Sequence, residues 1–179
     1  MTVFISGGCK NGKSSFAEKL ACKLRTPANP LYYLATMIPT DNEDEARIKR
    51  HQDQRADMGF TTIEAGHDIL PATVHCAGTL LLDSTTALLA NEMFGIGRDG
   101  QVRPLAHTKV AADVVQLLNR FDSAVIVSDY IYSDAMLYDD LTEAYRQGLA
   151  AIDRTLARHC DVVVEICQGQ RIIHKGQLP

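Results

Sequence analysis

The segment Gly7-x-x-x-x-Gly12-Lys13-Ser14 near the N-terminus has the pattern of a phosphate-binding P-loop. An apolar run precedes the pattern and a helical repeat follows it, which is the context that phosphate binding requires. Glycines let the backbone N–H groups point inward, and the helix N-terminus adds its positive dipole end. We predict that Lys13 contacts the β- and γ-phosphates of a nucleoside triphosphate and that Ser14 binds Mg²⁺. The predicted nucleotide-binding residues of the loop are Gly7, Gly8, Cys9, Lys10, Asn11, Gly12, Lys13, Ser14 and Ser15.

An acidic residue at the end of a neighbouring buried strand is needed to help order the metal of a P-loop. Asp83 follows the apolar run Leu80-Leu81-Leu82, and we predict that it binds the nucleotide and Mg²⁺ together with Ser14. Asp129, which ends a second apolar run, is another candidate of the same form. The alternative is that Asp83 only caps a helix that begins immediately after it.

The charged segment 41–55 predicts a helix that Asp41 or Asn42 could cap. Spacing of four residues places Arg47, His51 and Arg55 on one face of this helix, which has few apolar residues to bury. One interpretation is a solvated helix with ordinary ion pairs. The other is a catalytic site: two guanidinium groups bind phosphate oxygens and lower the pKa of His51, and the neutral imidazole then attacks phosphorus.

Short strand-like runs alternate with helical patterns along the chain, which predicts an α/β fold with a mostly parallel sheet and helices on both faces. We expect a single nucleotide-binding domain over residues 1–179, with a surface loop at 95–104. The predicted strands are Thr2–Ser6, Leu31–Thr36, Thr61–Ala65, Thr79–Asp83, Ala124–Ser128, Asp161–Ile166 and Arg171–His174. The further predicted helices are Ser14–Leu24, Thr86–Phe94, His107–Phe121 and Leu141–His159.

The composition excludes several classes of protein function. A formal net charge of −4 provides no basic surface for nucleic acid. The five cysteines form neither a metal-binding spacing nor an even disulfide framework, and no apolar run approaches the roughly 20 residues of a membrane span. We therefore expect a cytoplasmic protein without a membrane span. The guanine-binding Asn-Lys-x-Asp signature is absent, which leaves phosphoryl or nucleotidyl transfer to a small molecule.

The order of the motifs resembles the bifunctional adenosylcobinamide kinase / adenosylcobinamide-phosphate guanylyltransferases of cobalamin biosynthesis. The resemblance covers nearly the whole chain, and its most specific part is the Arg-Ile-x-x-His-x-x-x-Arg element. The residues that carry it are Gly7-Gly8-x-x-x-Gly12-Lys13-Ser14, Tyr33-x-Ala35-Thr36, Arg47-Ile48-x-x-His51-x-x-x-Arg55, Thr62-x-Glu64, Leu82-Asp83 and Thr85-Thr86.

This resemblance implies a RecA-like P-loop NTPase fold, a requirement for Mg²⁺ and a homotrimer. The family phosphorylates adenosylcobinamide, a corrinoid, with a nucleoside triphosphate (ATP or GTP) and then transfers GMP from GTP onto that phosphate. The residue that matches His51 is the family's guanylylated nucleophile, so that His51 and Lys13 are the expected catalytic residues. Thr36, Glu64 and Asp83 match positions that surround the guanine nucleotide.

Two stretches depart from the family's pattern. Residues 128–134 replace the usual Asn-Glu-Val-Gly turn, and Asp153-Arg154 replaces an Asn-Gln pair in the last long helix. Three tyrosines in and just after the first stretch, Tyr130, Tyr132 and Tyr138, could stack on a bulky ligand or only pack against neighbouring loops. Two other functions therefore stay open. One is a P-loop kinase of another small molecule, and the other is a nucleotide-binding regulatory protein with a degenerate acceptor site.

Overall fold

Seven β-strands form one sheet in the computed structural model, which describes residues 1–179. Their order across the sheet is β3-β2-β4-β5-β1-β6-β7, and only the edge strand β7 runs antiparallel to its neighbour. Each predicted strand is confirmed to within one residue at either end. The strands are β1 Thr2–Gly7, β2 Leu31–Ala35, β3 Thr61–Glu64, β4 Thr79–Asp83, β5 Ser123–Asp129, β6 Val162–Cys167 and β7 Gln170–Lys175.

Six α-helices connect the strands, and the predicted ones are again confirmed to within one residue. The sequence patterns missed only the four-residue helix α3, which is too short to show a helical period. The helices are α1 Lys13–Leu24, α2 Asn42–Arg55, α3 Ile69–Ala72, α4 Thr85–Phe94, α5 Ala106–Arg120 and α6 Asp140–His159, with a short 3₁₀ turn at Ala56–Met58. None of them is long and apolar enough to cross a membrane.

Alternate strand residues supply two separate apolar cores, one on each face of the sheet. In β4, Leu81 packs with α1 on one face, whereas Leu80 and Leu82 belong to the core formed with α4, α5 and α6 on the other. The strand residues on both sides are almost fully buried, as expected for central strands of a parallel sheet. This arrangement confirms the prediction of helices on both faces, and the parallel pairing places the carboxyl ends of β1 to β6 along one edge of the sheet.

Helix α2 differs from the others because Arg55 is its only buried residue. Asp41 caps it by accepting a hydrogen bond from the backbone N–H of Asp44 at 2.8 Å, and three acids occupy its first turn. Without an apolar stripe, the helix lies over the carboxyl ends of the strands instead of in the core.

The predicted surface excursion lies between α4 and α5. Gly95 ends α4 in the left-handed conformation with φ 61°, and the chain then turns before α5 begins.

Candidate functional site

The P-loop joins β1, in the middle of the sheet, to the first turn of α1. Gly7 has no room for a side chain, since an added Cβ would lie 2.5 Å from the carbonyl oxygen of Ile166 on β6. Gly12 has a φ of +84° and precedes the first helical residue, Lys13. The backbone therefore curls around the N-terminus of α1, where unpaired N–H groups favour an anion.

The Lys13 side chain is folded onto the loop and is only 5% exposed. Its Nζ donates to the carbonyl oxygen of Gly8 at 2.6 Å and forms an ion pair with Asp129 Oδ1 at 2.7 Å. A phosphate that binds in the loop must therefore compete with Asp129 for this ammonium group. The proximity also explains why an acidic residue ends β5 next to the P-loop.

A cavity of about 600 Å³, here called the main cavity, opens at the carboxyl ends of the strands beneath α2. It brings together six of the predicted site residues from four different elements. Those residues are Ser14, Arg47, His51, Arg55, Glu64 and Asp83, and they share the wall with Tyr33, Asp129 and Tyr145 among others. The volume is within the range of small-ligand pockets, about 300–1,000 Å³.

His51 is half-buried in the wall of the main cavity. Burial lowers its pKa most, and the guanidinium groups of Arg47, Arg55 and Arg50 lower it further, whereas the Asp83 carboxylate opposes them. The imidazole is therefore kept neutral at neutral pH, which leaves one ring nitrogen with a free lone pair.

The two arginines that flank His51 have different environments. Arg47 is exposed at the cavity, whereas Arg55 is 5% exposed and stacks on the Tyr33 ring, with its guanidinium carbon 3.8 Å from the ring centroid. The Tyr33 hydroxyl in turn donates to Asp83 Oδ2 at 3.0 Å. Arg55 thus ties the end of α2 to β2, while Arg47 is free to reach a ligand.

Asp83 does not cap the helix that follows it. Ser84 has that role, because its hydroxyl accepts from the backbone N–H of Ala87 at 3.3 Å. The Asp83 carboxylate instead faces the main cavity with Ser14 and Asp129. Hydroxyl and carboxylate oxygens are the ligands that Mg²⁺ prefers, and this ion normally takes one or two carboxylates together with substrate phosphates and water. The residues present therefore fit Mg²⁺.

Thr36 lies beside the main cavity but does not line it. The residue is fully buried; its hydroxyl donates to the Ser84 carbonyl at 2.7 Å and accepts from the Ser84 N–H at 2.8 Å. Its own carbonyl accepts from Asn91 Nδ2 at 2.6 Å. In this structure its side chain holds the end of β2 against the start of α4.

Cys9, also a predicted nucleotide contact, is an exposed free thiol in the P-loop.

The two stretches that depart from the family pattern contact each other. The Tyr132 hydroxyl donates to Asp153 Oδ2 at 2.8 Å, and burial raises the pKa of Asp153 to about 6 although Ser128 and Tyr132 counteract it. The hydroxyls of the other two tyrosines donate to carboxylates, Tyr130 to Glu165 and Tyr138 to Asp134. All three tyrosine hydroxyls therefore have protein partners.

Sequence reasoning missed several residues around the main cavity. Tyr33 appeared only as part of a motif, and Glu18 was not singled out although it follows Ser14 by one helical turn. Tyr145 lines the cavity and donates to the backbone carbonyl of Thr86 at 2.9 Å. A spacing of four residues from the P-loop serine was the one signal in the sequence that could have identified Glu18.

Comparisons with known proteins identify a family for this chain. The family described as "Cobinamide kinase / cobinamide phosphate guanyltransferase" matches residues 3–173. The "Bifunctional adenosylcobalamin biosynthesis protein CobU" of Salmonella typhimurium is 25% identical over 180 residues, which covers 94% of this chain and 97% of that protein. The protein of the same name from Escherichia coli is 29% identical over 101 residues, and this match spans about half of each protein, 55% of this chain and 54% of that one.

Among solved structures, a prototypical ATPase from the type III secretion system of pathogenic bacteria superposes with a TM-score of 0.52 at 15% identity, covering 93% of this chain and 51% of that chain. The ATPase domain of another protein superposes with a TM-score of 0.54 at 10% identity, covering 98% of this chain and 76% of that chain. These likenesses support the P-loop NTPase fold. Because the family match extends over almost all of the chain, the protein belongs to the cobinamide kinase / cobinamide phosphate guanyltransferase family of cobalamin biosynthesis enzymes.

Proposed function

We propose that this protein phosphorylates adenosylcobinamide with a nucleoside triphosphate and then transfers GMP from GTP to the product through a His51–GMP intermediate. The product of the two steps is adenosylcobinamide-GDP. The observation that carries the proposal is that Ser14 of the P-loop and His51 of α2 line the same cavity. One bound triphosphate can therefore face both an external hydroxyl and the imidazole.

In the kinase step, the hydroxyl of the acceptor attacks the γ-phosphorus of ATP or GTP, and the nucleoside diphosphate leaves. Lys13 exchanges its contacts with Gly8 and Asp129 for the β- and γ-phosphate oxygens. The P-loop N–H groups hold the remaining oxygens. Mg²⁺, held by Ser14 and Asp83, would neutralise the charge that develops on the leaving phosphate.

In the nucleotidyl step, a neutral ring nitrogen of His51 attacks the α-phosphorus of GTP. A nitrogen–phosphorus bond forms as pyrophosphate leaves, and the phosphate of the phosphorylated corrinoid then displaces the imidazole and takes the GMP. The lowered pKa of His51 keeps the attacking lone pair available. Arg47, exposed at the cavity, is placed to bind phosphate oxygens during this step.

Glu64 at the end of β3 can account for a preference for guanine over adenine nucleotides. Its carboxylate lines the main cavity on the strand next to β2, which carries the Arg55–Tyr33 stack. A carboxylate accepts hydrogen bonds from the guanine N2 amino group, which adenine lacks. Thr36 would act indirectly, by holding the end of β2.

We further propose that residues 1–179 act as one domain within a homotrimer, by resemblance to the family, and that the protein works in the cytoplasm. Its five free cysteines fit a reducing compartment. The partners in this proposal are the nucleotide and the corrinoid.

Intact-mass spectrometry after incubation with GTP and Mg²⁺ tests the proposal. We expect an adduct of one GMP on the wild type, labile in acid as a phosphoramidate is, and none with ATP or on His51→Ala. His75→Ala, which removes an exposed histidine outside the cavity lining, is the matched control and should keep the adduct. A wild type that binds GTP without forming an adduct would refute the covalent step. Phosphoryl transfer without an adduct would favour a simple kinase.

A further inference from the structure

Glu18 is a buried carboxylate that the proposed reaction does not use. It lies on α1 one helical turn after Ser14 and is 2% exposed, yet it does not line the main cavity. Its Oε1 has no hydrogen-bond partner within the protein. Burying a carboxylate without full hydrogen bonding is costly, so a compensating charge is expected nearby.

Among the positive charges around Glu18, the guanidinium of Arg55 acts on it most strongly. Arg55 is also buried, its Nε has no hydrogen-bond partner, and its guanidinium carbon lies 3.8 Å from the centroid of the Tyr33 ring. Burial and the Asp83 carboxylate raise the pKa of Glu18, and Arg55 lowers it, ahead of the exposed Lys19. Glu18 and Arg55 form no direct ion pair. Both belong to a cluster around Tyr33, whose ring stacks on Arg55 and whose hydroxyl donates to Asp83 at 3.0 Å.

The cluster connects the P-loop helix to the helix of the nucleophile. Glu18 and Ser14 are four residues apart on α1, and Arg55 and His51 are four residues apart on α2. Residues at this spacing lie on the same helix face. Since Arg55 is the only buried residue of α2, it is the main point at which this helix is held.

We propose that Glu18 is a positioning residue for guanylyl transfer, acting through Arg55 to hold α2 so that His51 faces a triphosphate bound by the P-loop. This inference rests on the function proposed above. Glu18 itself contacts neither nucleotide nor acceptor. It sets the position of the nucleophile relative to Lys13 and Ser14, which belong to its own helix.

The test compares Glu18→Gln with the wild type in two measurements: the single-turnover rate of GMP-adduct formation with GTP and Mg²⁺, and the dissociation constant of GTP without turnover. Glutamine keeps the shape of the side chain and removes its charge. We expect the adduct rate to fall at least tenfold while GTP affinity changes less than threefold. A loss of packing alone would lower both together.

Arg55→Met and the double variant Glu18→Gln/Arg55→Met show whether Glu18 acts through Arg55. We expect the double variant to be no slower than Arg55→Met alone, because the partner of Glu18 is already gone. Independent, multiplying losses would overturn the inference, as would an unchanged adduct rate in Glu18→Gln.

The matched control is Glu92→Gln. Glu92 is a buried glutamate of α4 whose carboxylate pairs with Lys109, and it lies outside the main cavity lining. Its variant should keep the wild-type adduct rate.

A second pair of variants applies if Glu18→Gln does not fold. Glu18→Asp, which keeps the charge on a shorter side chain, must then form the GMP adduct faster than Glu18→Ala. Equal activities would refute the inference. Absence of an adduct on the wild type would instead refute the covalent function itself.

Discussion

Replacing Asp153 with asparagine should stabilise the protein at neutral pH. Asp153 is 4% exposed on α6, and burial raises its pKa from the ordinary 3.8 to about 6. The native state therefore binds this proton more tightly than the unfolded chain, so stability decreases as the pH rises from about 4 to about 6. A rise in pKa of this size corresponds to about 3 kcal/mol, which is the cost of the ionised carboxylate at pH 7.

Asparagine keeps an oxygen that can accept the Tyr132 hydroxyl hydrogen and carries no charge. We expect Asp153→Asn to raise the free energy of unfolding by about 1–3 kcal/mol at pH 7 and by less than about 1 kcal/mol at pH 4. The upper value at pH 7 is the roughly 3 kcal/mol that corresponds to the raised pKa. Urea unfolding at the two pH values measures both numbers.

The control is Asp57→Asn, which changes an exposed aspartate of the 3₁₀ turn and should leave the free energy of unfolding close to that of the wild type. The reasoning would be refuted if Asp153→Asn destabilised the protein at pH 7, or if its effect were the same at both pH values. Either result would mean that Asp153 is stabilised as an anion by its neighbours.

Three further predictions concern the main cavity and the P-loop. Because the pKa of His51 is lowered, the rate of GMP-adduct formation should fall to half its plateau at a pH below the ordinary 6.5 of histidine. Arg47→Ala should move that midpoint to higher pH, because it removes a positive charge beside the imidazole. Gly7→Ala should abolish detectable GTP binding in calorimetry, because the new Cβ would meet a β6 carbonyl oxygen at 2.5 Å. Tyr33→Leu should lower the free energy of unfolding by about 1–2 kcal/mol more than Tyr33→Phe, because phenylalanine keeps a ring beneath Arg55. Equal losses of stability in the two variants, measured by thermal melts, would argue against the stack of Arg55 on Tyr33.

The contact between Tyr132 and Asp153 matters for any test of the proposed activity. Both residues belong to stretches that differ from the family pattern, and the structure pairs them at 2.8 Å next to Ser128, one residue before the Asp129 partner of Lys13. The differences therefore form one connected group of residues. For this reason Tyr132 and Asp153 should be substituted together when phosphorylation of the corrinoid acceptor is tested.

The sequence alone was sufficient for features that depend on local spacing. The P-loop pattern, the strand and helix bounds and the common face of Arg47, His51 and Arg55 follow from periods of 2 and 3.6 residues and from glycine positions, which a short window contains in full. The family resemblance added the expected roles of Thr36 and Glu64 to that of Asp83, which the P-loop pattern already predicted. The structure places Glu64 and Asp83 in the lining of one cavity, and their roles stay predictions.

The tertiary structure decided which of these side chains are available to a ligand. Arg47 and Arg55 are equivalent on a helical wheel, but only Arg55 is buried, with its guanidinium against the Tyr33 ring. Thr36 matches a nucleotide-binding position, yet its hydroxyl is occupied by Ser84, 48 residues away. Such contacts join residues that are distant in the chain and depend on the order β3-β2-β4-β5-β1, which no local pattern encodes.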